Sequence, residues 1–179
     1  MKRILTLLRL IYFNIISPNK VADISGVKFG KNCHFNTRSF GSEPFLIEIG
    51  DNFYTSKGVN FVTHDGSVNV LRNLYPEYKE ADLFGQIKIG NNVFVGINTT
   101  ILPNTLIGDN VIVGAASLVK GQLKSNSVYA GVPAKYICSI KDYLEKYKKD
   151  FDFTKNCSNE EKKDFLLHKY FHLQSKYKK

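Results

Sequence analysis

The chain of 179 residues has no tryptophan, a single methionine and only three cysteines. Cys33, Cys138 and Cys157 are odd in number and lack metal-ligand spacing, which argues against a disulfide framework or a thiolate metal site and for a reduced, cytoplasmic compartment. Long apolar runs are missing too. Arg3 to Ile16 (RILTLLRLIYFNII) is interrupted by Arg9 and falls short of the ~20 residues that cross a bilayer. Acidic side chains are in deficit, 16 against 25 lysines and arginines, for a net charge of +9 that suits nucleic acid, an anionic membrane surface or a phosphate-rich small molecule. Much of that excess follows residue 134, where the lysines are spread round predicted helices and no nucleic-acid module is recognisable, so nucleic acid is not an expected partner. What is present is a 43% hydrophobic content, enough for the core of one domain.

The apolar residues are arranged with an unusual period. From Ile89 to Val119 (IGNNVFVGINTTILPNTLIGDNVIVGAASLV), every sixth residue is aliphatic: Ile89, Val95, Ile101, Ile107, Val113 and Val119. Four places further on in each unit stand Val93, Thr99, Thr105, Val111 and Ser117, all small or β-branched. A helix asks for periods of three and four and an ordinary strand for two, so a period of six predicts a coil of short flat strands. Aliphatic residues would point inward, with Gly90, Gly108, Asn91, Asn92 and Asn110 tolerating positive φ at sharp corners.

Weaker echoes precede this stretch at Val27–Phe35 and Ile47–Thr55, with starts at Phe29 and Ile49 twenty residues apart. The two-residue excess over eighteen is expected near Gly41 to Pro44. Residues 67–86 have no register, and IKIGNN then restarts it. An extruded loop follows, rich enough in Leu and Tyr to be ordered and expected to pack on a neighbouring subunit near the reaction site. Helices are predicted over Ser139–Lys149 and Ser158–Ser175, the second opened by a capping box of Ser158 and Glu161. The expected organisation is an N-terminal apolar helix over 1–22, a coiled β-domain over 23–137 interrupted by the 67–86 loop, and a C-terminal helical extension over 138–179. The N-terminal run reads either as a helix covering an open end of the coil or as an interfacial helix with Lys2, Arg3 and Arg9 near lipid headgroups; no small-x-small cleavage site precedes Pro18, so export is not expected.

The IG-[DN]-N pairs at Ile89 and Ile107, eighteen residues apart, and the AGVPAK segment at Ala130 to Lys135 resemble the hexapeptide-repeat acyltransferases, in particular the maltose and galactoside O-acetyltransferases and those that act on capsule or O-antigen polysaccharide. The resemblance implies a left-handed parallel β-helix of three hexapeptides per coil. The hand comes from the resemblance alone, since crossovers between parallel strands are right-handed in roughly 98% of cases. It further implies a homotrimer with active sites between subunits, acetyl-CoA as acyl donor and no required metal.

His64 stands where the register breaks; imidazole, with an intrinsic pKa of about 6.5, is the side chain suited to act as a general base at neutral pH, and the resemblance points to the same residue. Asp65 is one candidate to fix its tautomer, with Asp51, Glu48 and a carbonyl oxygen as competitors. For the cofactor the resemblance nominates Phe94, Gly96, Gly114, Ala115, Ala116, Val132, Pro133 and Lys135, and Lys120, a departure from the family pattern, is a further candidate through an approach to phosphate. Phe94 stands where tryptophan is common in the family, and Lys120 where it often has a hydroxyl. For a sugar or lipid-linked oligosaccharide acceptor the matching positions are His34, Asn36, Arg38 and Glu43, with Arg72 from the loop. The expected activity is O-acetylation of a sugar hydroxyl, in the cytoplasm or peripherally at the inner face of the membrane. An N-acetyltransferase keeps the fold and changes the acceptor to an amine; a basic membrane-associated scaffold is the non-enzymatic reading. A zinc hydratase on the same coil needs three imidazoles, and only His34 and His64 lie in the coiled part.

Overall fold

The computed structural model describes residues 15–176, with side chains described through residue 171. The N-terminal run, apart from Ile15 and Ile16, therefore lies outside the described residues. Two compact units divide between Tyr143 and Leu144.

The first unit is a three-sided parallel β-helix. Short strands turn a corner every few residues because the inward positions recur every six. The first face carries β1 (Lys28–Phe29), β2 (Ile47–Ile49), β5 (Ile87–Ile89), β8 (Thr105–Ile107) and β11 (Gln122–Leu123). The second carries β3 (Tyr54–Thr55), β6 (Val93–Val95), β9 (Val111–Val113), β12 (Ser127–Ala130) and β13 (Lys135–Ser139), the last paired antiparallel. The third carries β4 (Asn60–Phe61), β7 (Thr100–Ile101) and β10 (Leu118–Val119). Parallel register stacks Ile47 on Ile87 on Thr105, and Val93 on Val111 on Ser127. The faces form the expected left-handed helix, and both columns of the six-residue pattern, the aliphatic one and the small one, are buried.

The hydroxyls in the small column do not go to waste. Thr99 and Ser117 both donate to the Gly114 carbonyl, and Thr105 to that of Leu102, so burial costs no unmade hydrogen bond. At the N-terminal end the aliphatics give way to phenylalanine: Phe35 packs on Phe29, Phe40 and Phe53 with centroids 5.2 to 5.5 Å apart. Helix α1 (Pro18–Ser25) adds Val21 and Ala22 to this core. Ser17 caps it and Pro18 opens it at a position where a missing N–H is no loss, so here proline starts a helix instead of ending one.

The corner expectation needs a correction. Asn92 and Asn110 do take positive φ, with Asn32, Asn52, Asn98, Asn104 and Asn126, but Gly90, Gly108 and Asn91 do not. The reason for glycine is contact between coils: a Cβ on Gly90 would fall 2.5 Å from the Asp109 Oδ1 and 2.8 Å from the Gly108 carbonyl carbon. That corner is instead a ladder. Asp51 accepts from the Lys31 N–H, Asn91 from that of Asp51, Asp109 from that of Asn91, and Ser125 from that of Asp109.

Helix α3 (Ile140–Tyr147) runs across the dividing residues, and the second unit, the chain from Leu144, has α4 (Asn159–Lys176) as its main element. Its capping box is reciprocal: the Ser158 N–H donates to Glu161, and the Glu161 N–H to the Ser158 hydroxyl.

Candidate active site

The 67–86 segment leaves the prism at the corner between the third face and the first. Its two ends meet there as an antiparallel pair: the Gly85 N–H donates to the Thr63 carbonyl, the Asp65 N–H to that of Leu83, and His64 bridges Phe84. Between these ends lie α2 (Val68–Leu74) and a turn at Pro76–Tyr78. Leu71, Leu74, Tyr75, Tyr78, Leu83 and Phe84 all remain substantially exposed.

His64 is held at this junction. Its ring lies 4.7 Å from that of Phe84 and is 29% exposed, while Nε2 is buried without a hydrogen-bond partner. The nearest carboxylate is that of Asp82, with Oδ1 3.5 Å from Nε2. Arg72 from α2 binds the same oxygen through Nη2 and the Ala81 carbonyl through Nε at 2.6 Å. Asp82 thus faces a cation on one side and an imidazole on the other.

Sequence reasoning missed Asp82. Asp65 turns instead to its own loop: its Oδ1 accepts from the Ser67 N–H at 2.9 Å, and that bond, with one from the Ser67 hydroxyl, holds its carboxyl below the usual carboxylate range. Asp51 is taken by the Lys31 N–H, and Glu48 sits 3.9 Å from Lys88 on the first face. One signal in the sequence could have found Asp82. A loop that leaves and re-enters a solenoid at one corner must bring its ends together, so residues just before the register restarts flank those just after it stops.

Glu43 belongs to the same corner, one coil below. The two-residue excess around Gly41 folds against Thr63, whose hydroxyl donates to Glu43 Oε2 at 3.0 Å; Ser42 donates to the same oxygen at 2.7 Å. Arg72, through Asp82, is at the His64 corner as well, and the other acceptor candidates lie elsewhere. His34 stacks on Tyr54 at 5.0 Å and Tyr54 on Phe94 at 5.9 Å, a ladder up the second face. Asn36 gives both its backbone N–H and its amide to Thr55, and Arg38 donates to the Ile16 carbonyl.

The cofactor candidates collect around the third face. Gly96, Gly114, Ala115 and Ala116 form its edge with the second face, and Lys120 follows β10 on the edge that carries His64, two coils on, or ~10 Å at ordinary strand spacing. Beyond β10 the AGVPA segment adds another layer. The Leu118 N–H donates to the Gly131 carbonyl and the Ala134 N–H to that of Leu118, leaving Val132 exposed beside Pro133. Lys135 then opens β13 on the second face. Phe94 is not brought into this group. It lines a groove of about 240 Å³ on the second face with Tyr54, Ile112 and Ile140. Among the described residues no three His, Cys, Asp or Glu side chains cluster as metal ligands, and no described helix is long and apolar enough to cross a membrane.

The chain is similar to several known proteins. A family model described as bacterial transferase hexapeptide (six repeats) matches residues 86–121. Protein CapG of Staphylococcus aureus is 44% identical over 158 residues, spanning 87% of this chain and 90% of that protein. A shorter stretch of 51 residues is 53% identical to WbbJ of Escherichia coli K12, provisionally named a lipopolysaccharide biosynthesis O-acetyl transferase, and takes in 28% of this chain and 26% of WbbJ. A solved galactoside acetyltransferase in complex with coenzyme A superposes with a TM-score of 0.51 at 27% identity, over 66% of this chain and 67% of that one.

Proposed function

Since the chain belongs to the bacterial hexapeptide-repeat transferase family and is an acetyl-CoA-dependent acyltransferase, we propose that it acetylates a sugar hydroxyl in the assembly of a bacterial surface polysaccharide, with His64 as general base. The observation that carries this is the imidazole at the break of the prism, with the Asp82 carboxylate 3.5 Å from its Nε2. A carboxylate on that nitrogen favours the tautomer with its proton there and leaves a lone pair on Nδ1.

Acetyl-CoA supplies the activated acyl group. His64 takes the proton of the attacking hydroxyl and returns it to the departing sulfur, so the residue ends the cycle as it began. Backbone N–H groups lining the site are the candidates to hold the charge that gathers on the thioester oxygen. Val132 and Pro133 offer an apolar surface for the adenine, Lys120 and Lys135 positive charge for the phosphates, and the small corner from Gly96 to Ala116 a path for the pantetheine arm. Glu43 is the acceptor-side group best placed to receive hydrogen bonds from sugar hydroxyls, because it shares the corner of His64. The relationship of part of the chain to a lipopolysaccharide O-acetyl transferase supports a glycan acceptor.

A homotrimer completes the site. Phe94 and Tyr54 face outward on a different side of the prism from His64, and the exposed Leu74, Tyr78 and Phe84 of the loop need an apolar partner. A neighbouring copy supplies both needs at once. The protein then works in the cytoplasm, at the inner face of the membrane when the acceptor is lipid-linked.

The test is release of free thiol from acetyl-CoA against a panel of sugars, amino sugars and lipid-linked oligosaccharides. Release that depends on a sugar hydroxyl supports the proposal, and release only with amines replaces it with N-acetyl transfer. For Asp82, replacement by Asn should lower kcat with little change in either KM. A buried tautomer-setting carboxylate is worth up to about 10⁴, and 41% side-chain exposure of Asp82 brings the expectation down to roughly 10- to 100-fold. Asp65→Asn, measured alongside, should leave kcat within about twofold, since its carboxylate serves the loop turn. If Asp65→Asn is the damaging variant and Asp82→Asn the silent one, the assignment is reversed.

A further inference from the structure

The sequence offers Arg72 as an acceptor contact, yet in the structure its guanidinium is turned into its own loop. Arg72 lies in the last turn of α2, one turn after Val68, the buried residue of that helix, so both fall on one side of it. From there Nε donates to the Ala81 carbonyl at 2.6 Å and Nη2 to Asp82 Oδ1. One planar fork thus grips the backbone of one residue and the carboxylate of the next. It restrains both the course of the returning arm and the place of the carboxylate oxygen, which a single ammonium cannot do at once.

The oxygen it holds is the one that faces His64. Nε2 of the imidazole is buried without a hydrogen-bond partner, and Asp82 Oδ1 stands 3.5 Å from it. Asp82 lies outside helix and strand with its side chain 41% exposed, so without the fork its carboxylate is free to turn to water. Arg72 is the less exposed partner, at 28%.

We infer that Arg72 is a positioning residue: its fork holds the Asp82 carboxylate where it fixes the His64 tautomer, and it does not bind the acceptor. The inference rests on the general-base reading of His64 and extends it by one residue.

Two measurements test it on the full chain, comparing the parent with Arg72→Gln, Arg72→Lys, Asp82→Asn and the double variant Arg72→Gln with Asp82→Asn. The first needs no acceptor. Proton–nitrogen correlation NMR reads the His64 ring in buffer well above the ordinary imidazole pKa of about 6.5, with His64→Ala identifying its signals. The parent should carry its proton on Nε2, and Arg72→Gln, Arg72→Lys and Asp82→Asn should each show a mixture of tautomers. The second is kinetic, with the sugar that releases most thiol in the acceptor panel. Arg72→Gln should lower kcat about 10-fold, the lower end of the loss expected for Asp82→Asn, because a support costs no more than the group it supports. The acceptor KM should stay within about twofold. The double variant should be no slower than Asp82→Asn alone, since a residue that acts only through Asp82 then has nothing to act on.

A raised acceptor KM in Arg72→Gln, or losses that multiply in the double variant, would make Arg72 a substrate contact or a general support of the loop and overturn the inference. Full restoration by Arg72→Lys would overturn the fork. An unchanged tautomer and kcat in Arg72→Gln, with Asp82→Asn still damaging, would overturn the positioning role and leave the general-base reading standing. If His64→Ala is silent, that reading fails by itself, and the tautomer measurement still decides whether Arg72 positions Asp82.

Discussion

Replacing His64 by Ala is expected to lower kcat by roughly 10² to 10⁴, the usual worth of a positioned general base, with the oligomeric state and coenzyme A affinity unchanged. The ring is on the surface side of the prism wall. Its neighbours are Phe84 and Asp82, both from the extruded loop, while the core beneath is made by Phe61, Thr63 and the coils on either side. Truncation therefore removes a contact with the loop and not a plug from the core, and the stability cost should stay near 1 kcal/mol, the centre of the range for single substitutions. The Ala variant also leaves Asp82 facing a gap, though Arg72 still neutralises it. His64→Asn is the useful second variant, because an amide keeps a polar group beside Asp82 but cannot take up a proton at neutral pH. If both variants lose turnover alike and both still bind coenzyme A, proton transfer is what was lost. Unchanged turnover in either removes His64 from the mechanism.

The sequence made the coil legible and the corner only partly so. Inward positions are set by a period of six, and because each strand exists only to bury those positions, counting from Ile89 predicted which side chains line the core all the way to Val119. The insertion was legible for the complementary reason: a segment that buries nothing in the prism breaks the count. What could not be read was anything that depends on where the ends of that insertion land. Asp82 stands eighteen residues from His64 in sequence and reaches it only through the antiparallel closure at Thr63 and Gly85. Glu43 was nominated by resemblance, yet its place under Thr63 rests on a two-residue excess whose fold has no periodic signature. Phe94 shows a different limit. The resemblance groups it with the cofactor residues, but one chain sets it on another face, so a cofactor role for it depends on the proposed second copy, which no count within one sequence can position.

Gly96→Ala is expected to destabilise the protein by about 3 kcal/mol, at or above the upper end for overpacking a filled site, and to lower Tm by roughly 6–12 °C for a chain of this size. An added Cβ would fall 2.5 Å from the Ala115 nitrogen and 2.8 Å from both the Ala115 Cα and the Gly114 carbonyl carbon. All three are backbone of the next coil, so no side chain can swing aside. The spacing of those coils is fixed by bonds of 2.8 Å on either side, from the Gly96 N–H to the Val113 carbonyl and from the Ala116 N–H to that of Ile97. Relieving the clash means opening that ladder, and the strand above and the strand below are held by the same ladder. Gly66→Ala is the control: nothing lies within 4 Å of a Cβ there and its φ is not left-handed, so Tm should hold or rise slightly as the unfolded chain loses freedom. The pair also decides why glycine stands at Gly96, since that corner is proposed to carry the pantetheine arm as well. If close approach of the ligand is the reason, Gly96→Ala weakens coenzyme A binding at an unchanged Tm. If stacking of the coils is the reason, Tm falls without ligand present, and any loss of affinity follows from the displaced edge.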